Sequence, residues 1–287
     1  MRYFVMSDIH SFYDEMKLAL DNAGFNKENS EHILIICGDI FDRGDQTLEV
    51  LNFIKSLPRE RRILIRGNHE YLLKSAMMRG YLGGHDFSNG TAKTILHLAN
   101  SQGYIEGYSI VNDSMENLVN NKDIWDIIDW MFSDEWVNYY ELDRFIFVHS
   151  FIPLGIKDTG KEDVWFLGWQ DEYDPEWRTK FQSKSDWDEA VWGCPWKKIK
   201  MGYFDEEAKN GKTLVCGHWH AADFHYQLGK KPVTNRNMKN WMHIYYSSKI
   251  IAIDAMTALT NKCNCLVIDE NFKCYDQFGK ELVVEGE

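Results

Sequence analysis

Five short stretches of the chain concentrate residues that bind cations or move protons. Ser7-Asp8-Ile9-His10, Gly38-Asp39-Ile40-Phe41-Asp42-Arg43-Gly44, Gly67-Asn68-His69-Glu70, His149-Ser150 and Gly217-His218-Trp219-His220 each follow a short apolar run. A single histidine in such a place is commonplace and needs only a hydrogen-bond partner. Gathering several carboxylates and imidazoles in one cleft is costly unless a cation coordinates and neutralises them. A mixed oxygen and nitrogen ligand set suits Mn, Fe or Zn. With this many ligands the natural construction is two ions roughly 3.5–4 Å apart, sharing one aspartate.

The elements that must position these stretches follow from hydrophobic spacing. Tyr3–Met6, His32–Cys37 and Ile63–Ile65 read as strands, and the unbroken Ile/Leu run of the second is that of a strand buried on both faces. Phe12–Leu20 and Tyr71–Met78 have helical spacing. Val50, Phe53, Ile54 and Leu57 form an i, i+3, i+4, i+7 stripe that Pro58 ends. This β-α-β-α-β-α order implies parallel strands layered with helices. Phe145–Val148 and Thr213–Cys216 repeat the theme, each with a histidine within two residues, and Ile250–Ile253 and Cys263–Ile268 read as closing strands. In open α/β sheets ligands gather outside the carboxyl ends of the strands, so all five stretches should converge on one edge.

The middle of the chain differs in composition. Ile124, Ile127, Ile128 and Met131 make one helix stripe, and nine of the eleven tryptophans fall between Trp125 and Trp196. They form either the core of an α-rich insertion, placed at about residues 150–211, or an aromatic cap over the cleft. No internal repeat or linker divides the chain, so residues 1–287 are expected to form one domain.

The order Asp-x-His, Gly-Asp-x-x-Asp-Arg-Gly, Gly-Asn-His-Glu, an isolated His and Gly-His resembles the calcineurin-like metallophosphoesterase superfamily. Gly38–Gly44 and Arg66-Gly67-Asn68-His69-Glu70 narrow the resemblance to its phosphoprotein-phosphatase branch, which includes serine/threonine phosphatases, phage-type phosphatases and dinucleoside tetraphosphate hydrolases. The match is dense over residues 8–70 and sparse over 149–254. It implies an α/β fold: a central β-sandwich of two mixed sheets flanked by helices. It also implies that Asp8, His10 and Asp39 hold a first ion, and that Asp39 bridges to a second completed by Asn68, His149 and His218. Such ions polarise a water and clamp phosphate oxygens, so no phospho-enzyme is required.

His69 and Asp42 match the pair in which an imidazole protonates the leaving alkoxide and a carboxylate orients the ring; a helix N-cap is the plain alternative for Asp42. Arg43 and Arg66 match planar, two-pronged donors to phosphate. Two features depart from the branch. Gly217-His218-Trp219-His220 carries a second histidine where the branch often has Gly-His-Thr, and His220 is expected either to join the first metal or to pack beside Trp219. A second phosphate-binding arginine is missing from Ala190–Lys198; Lys197, Lys198 or Arg178 are the available replacements. Tyr81–Gly90 reads as a Gly-rich loop beside the cleft, with a substrate lip as its functional counterpart. His97 reads as core, His225 and His243 belong to no pattern, and no P-loop occurs.

With 287 residues, 32 basic against 44 acidic side chains and a net charge of −12, the chain lacks the basic footprint of a general nucleic-acid binder. Cys37, Cys194, Cys216, Cys263, Cys265 and Cys274 form no CxxC pair and are expected to be reduced thiols. Without a long apolar run or room for a signal peptide before Ser7, a cytoplasmic protein is expected. The expected activity is that of a dimetal phosphoesterase, Mn being the first choice of ion. Its expected partner is a phosphorylated protein, as for a serine/threonine phosphatase, or alternatively a dinucleoside polyphosphate.

Overall fold

The computed structural model describes residues 1–158 and 169–283. Eleven strands build its two principal sheets. In chain order they are β1 (Arg2–Met6), β2 (His32–Cys37), β3 (Arg62–Ile65), β4 (Trp136–Val137), β5 (Tyr139–Leu142), β6 (Phe145–Val148), β7 (Thr213–Cys216), β8 (Tyr245–Tyr246), β9 (Ile250–Ala252), β10 (Leu266–Ile268) and β11 (Cys274–Tyr275). The first sheet runs β11-β10-β1-β2-β3-β4 and the second β8-β9-β7-β6-β5. Strands β1 to β4 are parallel, with antiparallel β10 and β11 on the far edge. In the second sheet β6, β7 and β9 are parallel, and β5 and β8 pair antiparallel at the two edges. Both sheets are therefore mixed.

Alternation along the strands explains the layering. Val5, Ile35, Cys37 and Ile65 from the first sheet share one buried cluster with Phe145, Phe147, Val215 and Ile251 from the second. The intervening residues Phe4, Met6, Leu34, Ile36 and Leu64 face the other way, packing with helix residues such as Met16, Val50, Ile54 and Leu73. On the outer side of the second sheet, Ile146, Val148, Leu214 and Cys216 meet Trp177, Trp187 and Phe204. A strand with both faces covered must be apolar throughout, which is why β2 reads as an unbroken run.

The helices expected near residues 12–20, 50–57 and 71–78 are Tyr13–Asn22, Thr47–Ser56 and Asn68–Arg79. The last begins three residues early, inside the Gly-Asn-His-Glu motif. Of the expected strand Cys263–Ile268 only Leu266–Ile268 is in the ladder. Tyr81–Gly90, expected as a loop, contains the helix Gly84–Asn89, followed by Thr91–Leu98. A small hairpin, Tyr104–Glu106 with Ser109–Val111, leads on to the helix Lys122–Met131.

The segment at 150–211 is α-rich as expected, with helices Trp177–Lys180, Lys184–Trp192, Pro195–Lys200 and Asp205–Lys209, but it also carries the hairpin Gly155–Asp158/Trp169–Glu172. Trp165 lies outside the described residues. Trp177 and Trp187 are core, Tyr139 stacking on Trp187 at 5.7 Å. Trp192, by contrast, is 48% exposed and stands edge-on to His218 at 5.9 Å. The core reading therefore holds for Trp177 and Trp187.

Candidate metal centre

Parallel strands bring the motifs to one edge. Asp8 and His10 follow β1, Asp39 follows β2, Asn68 and His69 open the helix after β3, and His149 and His218 follow β6 and β7. Backbone hydrogen bonds lock these turns together: Asp8 N to Gly38 O (3.1 Å), His10 N to Asp39 O (3.0 Å) and Gly217 N to His149 O (2.8 Å). The turns are strained. Among the described residues, Asp8, His10, Asp39, Asp42, Arg43 and His218 all have φ between 51° and 74°, a left-handed conformation that such residues adopt only when the surroundings impose it. Gly67 allows the sheet ends to close up, since a Cβ there would fall 2.7 Å from Asp39 N and overlap its carboxylate.

Asp39 is the centre of the cluster. Its Oδ2 lies 3.7 Å from His10 Nε2 and 3.8 Å from His69 Nε2, while Oδ1 lies 3.5 Å from His149 Nε2. Ligand-capable atoms of His10, Asp39 and His69 fall within 4.8 Å of one another, and so do those of Asp39, His149 and His218. Asp39 belongs to both groups. Asp8 joins the first side, its Oδ1 3.9 Å from His10 Nε2. Its other oxygen accepts from His218 N at 2.9 Å and from the Ser7 hydroxyl. Asn68 Oδ1 joins the second side, 2.8 Å from His149 Nε2.

The donor set fits divalent cations. His10 Nδ1 is 2.9 Å from Phe41 O and His149 Nδ1 is 2.8 Å from Cys37 O, so each ring has one nitrogen engaged by a carbonyl and the other aimed at Asp39. That outer support is how proteins fix metal-ligating imidazoles. Burial, with His69 nearby, pushes His10 well below the usual imidazole range. Burial and the adjacent His149 push His218 down to about 2. Both rings are thus neutral, the form that ligates. Burial drives Asp39 well above the ordinary carboxylate range, a cost that a bound cation removes.

The dyad expected from the sequence is assembled. His69 Nδ1 lies 2.7 Å from Asp42 Oδ2, which leaves Nε2 facing the cluster. Burial lowers the His69 pKa, but Asp39 and the Asp42 hydrogen bond outweigh it, and the net direction is upward. Arg43, exposed, brings Nη2 to 3.4 Å from His69 Nε2.

Arg66, expected at phosphate, is engaged elsewhere. Its guanidinium donates to Met131 O (3.0 Å), Ser133 O (2.7 Å) and Asn138 Oδ1 (3.2 Å), holding the end of the helix Lys122–Met131. His220 stands outside both ligand groups. It precedes the helix Ala221–Gln227, with Nδ1 3.6 Å from Asp223 Oδ2 and Nε2 3.9 Å from Asp254 Oδ2. Of the replacements for the missing arginine, Arg178 pairs with Glu207 and Glu141, and Lys198 with Asp171. His97 is only half-buried, and its Nδ1 lies 3.0 Å from Thr47 Oγ1.

Other residues were not legible. The Glu70 carboxylate accepts from Gly67 N (2.7 Å), Asp39 N (3.1 Å) and Ile40 N (3.0 Å), tying two motif turns together. Its place in Gly-Asn-His-Glu was the available signal. Asp254, two residues past β9, is buried near Asp8; burial and that charge raise it to about 7. Thr91 and Thr94 bond the Asp42 carboxylate from a helix about fifty residues on.

This fold and this edge of paired carboxylates and imidazoles define a metal-dependent phosphoesterase. A family model of calcineurin-like phosphoesterases matches residues 1–222, and the chain belongs to that family. Among curated proteins it is 28% identical over 162 residues to the symmetrical bis(5'-nucleosyl)-tetraphosphatase of Histophilus somni, covering 56% of this chain and 49% of that one. It is 37% identical over 70 residues to the protein of the same name from Psychromonas ingrahamii, covering 24% of each. The chain thus spans about half or less of the curated relatives it matches. Among solved structures, the cold-active protein-tyrosine phosphatase of a psychrophilic Shewanella superposes with a TM-score of 0.51 at 17% identity, covering 99% of this chain and 80% of that one, a likeness of fold. Among the described residues no helix is long and apolar enough to cross a membrane.

Proposed function

We propose that this protein hydrolyses phosphate monoesters with water as the nucleophile. Asp8, His10 and Asp39 would hold one divalent cation, and Asp39, Asn68, His149 and His218 a second. The observation that carries the reading is Asp39, whose two carboxylate oxygens face imidazoles on opposite sides. Bound ions supply Lewis-acid activation and offset charge on the phosphate. Mn is the first choice, and Fe and Zn suit the same donors.

The chain's own residues do the rest. Arg43 is placed to donate to phosphate oxygens, and the fixed Asp42–His69 contact presents Nε2 to the leaving group. As the P–O bond breaks, its electron pair stays on the leaving oxygen, which takes the proton from Nε2. Water forms the new P–O bond and gives up one O–H proton to solvent, keeping the other on the product, which is inorganic phosphate alongside the alcohol; His69 regains its proton from solvent. Serine and threonine alkoxides are poor leaving groups that need such an acid, so phosphoserine and phosphothreonine in proteins are the favoured substrates.

A second reading, hydrolysis of dinucleoside polyphosphates, has two supports. The curated relatives carry that activity in their names, and the exposed Trp192 beside His218 offers a face on which a base would stack. Turnover of a phosphopeptide and of diadenosine tetraphosphate by Mn-loaded protein separates the two. Faster hydrolysis of the peptide, lost in Asp39→Asn, is the expected outcome. Preference for the dinucleotide would put the second reading in its place, and no metal-dependent hydrolysis of either would overturn both.

A further inference from the structure

The Asp42 carboxylate is 1% exposed, and both of its oxygens are occupied. Oδ2 accepts from Thr91 Oγ1 at 2.7 Å as well as from His69 Nδ1 at 2.7 Å. Oδ1 accepts from Thr94 Oγ1 at 2.7 Å, and that hydroxyl in turn accepts from Asp42 N at 3.0 Å. The two threonines are buried and sit at i and i+3 on the first turn of the helix Thr91–Leu98, so they present one face.

The helix is built to reach this carboxylate. Gly90, with φ 87°, precedes it, and a Cβ there would overlap Arg43 N and fall 2.7 Å from Arg43 Cα. Lys93, immediately before Thr94, adds a tie, donating to Arg43 O at 3.2 Å and to Asp45 Oδ1 at 2.8 Å. Asp42 and Arg43 both hold left-handed φ, 74° and 61°, and that strain persists only where neighbours impose it. The helix that follows the Tyr81–Gly90 segment is therefore a clamp on the Asp42–Arg43 turn.

We propose that Thr91 and Thr94 are positioning residues for leaving-group protonation. By fixing the plane and both oxygens of the Asp42 carboxylate, they keep His69 Nδ1 bound to Asp42 and Nε2 aimed at the leaving oxygen. A carboxylate held by only one partner turns about its side-chain bond, and the imidazole turns with it. This inference rests on His69 as the acid in the proposed reaction.

The test compares Thr91→Val/Thr94→Val with Thr91→Ser/Thr94→Ser, with His69→Asn as reference, all Mn-loaded. Turnover is measured on aryl phosphates from a good leaving group (2,4-dinitrophenol) to a poor one (phenol). The valine pair is expected to lose about a hundredfold in kcat on the phenyl ester and only a fewfold on the dinitrophenyl ester, at unchanged KM. The serine pair, which keeps both hydroxyls, should stay within about threefold of the parent chain on both. In metal-free protein, the downfield proton resonance of His69 Nδ1–H should persist in the serine pair and vanish or shift in the valine pair. That resonance is assigned by its loss in His69→Asn.

An equal loss on both esters in the valine pair, or an unmoved resonance, overturns the proposal. If His69→Asn itself loses equally on all leaving groups, the acid assignment fails, and the proposal with it. If only His69→Asn shows the selective loss, the threonine assignment alone fails. Single Thr94→Val carries the same comparison should the double variant not fold.

Discussion

Arg43 and Arg66 both lie between Asp39 and Asn68 in sequence, and their side chains go to opposite uses. Arg43 is exposed beside His69, whereas Arg66 donates to two carbonyls and an amide at the end of a helix. Arg43→Ala should therefore lower kcat/KM by about tenfold to a hundredfold, mainly through KM, as loss of a charge-assisted phosphate contact predicts. Arg66→Ala should leave KM within about threefold and instead lower the melting temperature by a few degrees, the effect of losing hydrogen bonds worth about 1 kcal/mol each. Steady-state kinetics with a thermal scan of each variant distinguishes these outcomes. At this scale the sequence reveals Asp8, His10, Asp39, Asn68 and His69 because their motifs are local. Thr94 is silent because its partner lies 52 residues away and nothing about a threonine in a helix announces it. Arg66 misleads for the converse reason: its neighbours match a motif, while its direction is decided by carbonyls from another helix.

The join between β2, β3 and the helix Asn68–Arg79 shows what the elements contribute. One carboxylate, Glu70, accepts three backbone N–H groups from two turns, and so sets how far apart Asp39 and Asn68 stand. Glu70→Gln replaces one acceptor oxygen by a donor that faces backbone N–H groups. We expect it to weaken Mn binding by about tenfold or more and to destabilise the fold by about 1–3 kcal/mol, the cost of an unsatisfied buried group. Isothermal titration with Mn and denaturant unfolding measure the two effects, and a variant unchanged in both would contradict this role for Glu70. Long elements with a clear period, such as β2 and Thr47–Ser56, are legible in the sequence. Two-residue strands such as β4 and β8 are not, because so short a run has no period and exists only through its ladder partners. The helix Gly84–Asn89 is hidden by its own glycines, which punctuate both of its ends.

The whole molecule is a sandwich whose two sheets supply opposite sides of the candidate metal centre, so cations bound there would couple to its stability. Away from that centre, His225 packs against His243, Trp241 and Tyr245, and burial followed by His243 lowers its pKa to about 4. An unfolded histidine binds a proton from about pH 6.5, so between there and about pH 4 the unfolded chain holds more protons than the folded one. Stability should accordingly fall as pH drops through that window, by up to about 3 kcal/mol from this residue. His225→Phe should flatten the fall; an equally steep acid limb in that variant would contradict the assignment. The direct test of the central claim is equilibrium dialysis of Mn against the purified chain and against Asp39→Asn. Two ions per chain, with binding at both sites weakened together in Asp39→Asn, is the result predicted from a carboxylate shared by two ligand groups. A single ion per chain, or two sites of which Asp39→Asn spares one fully, would contradict it.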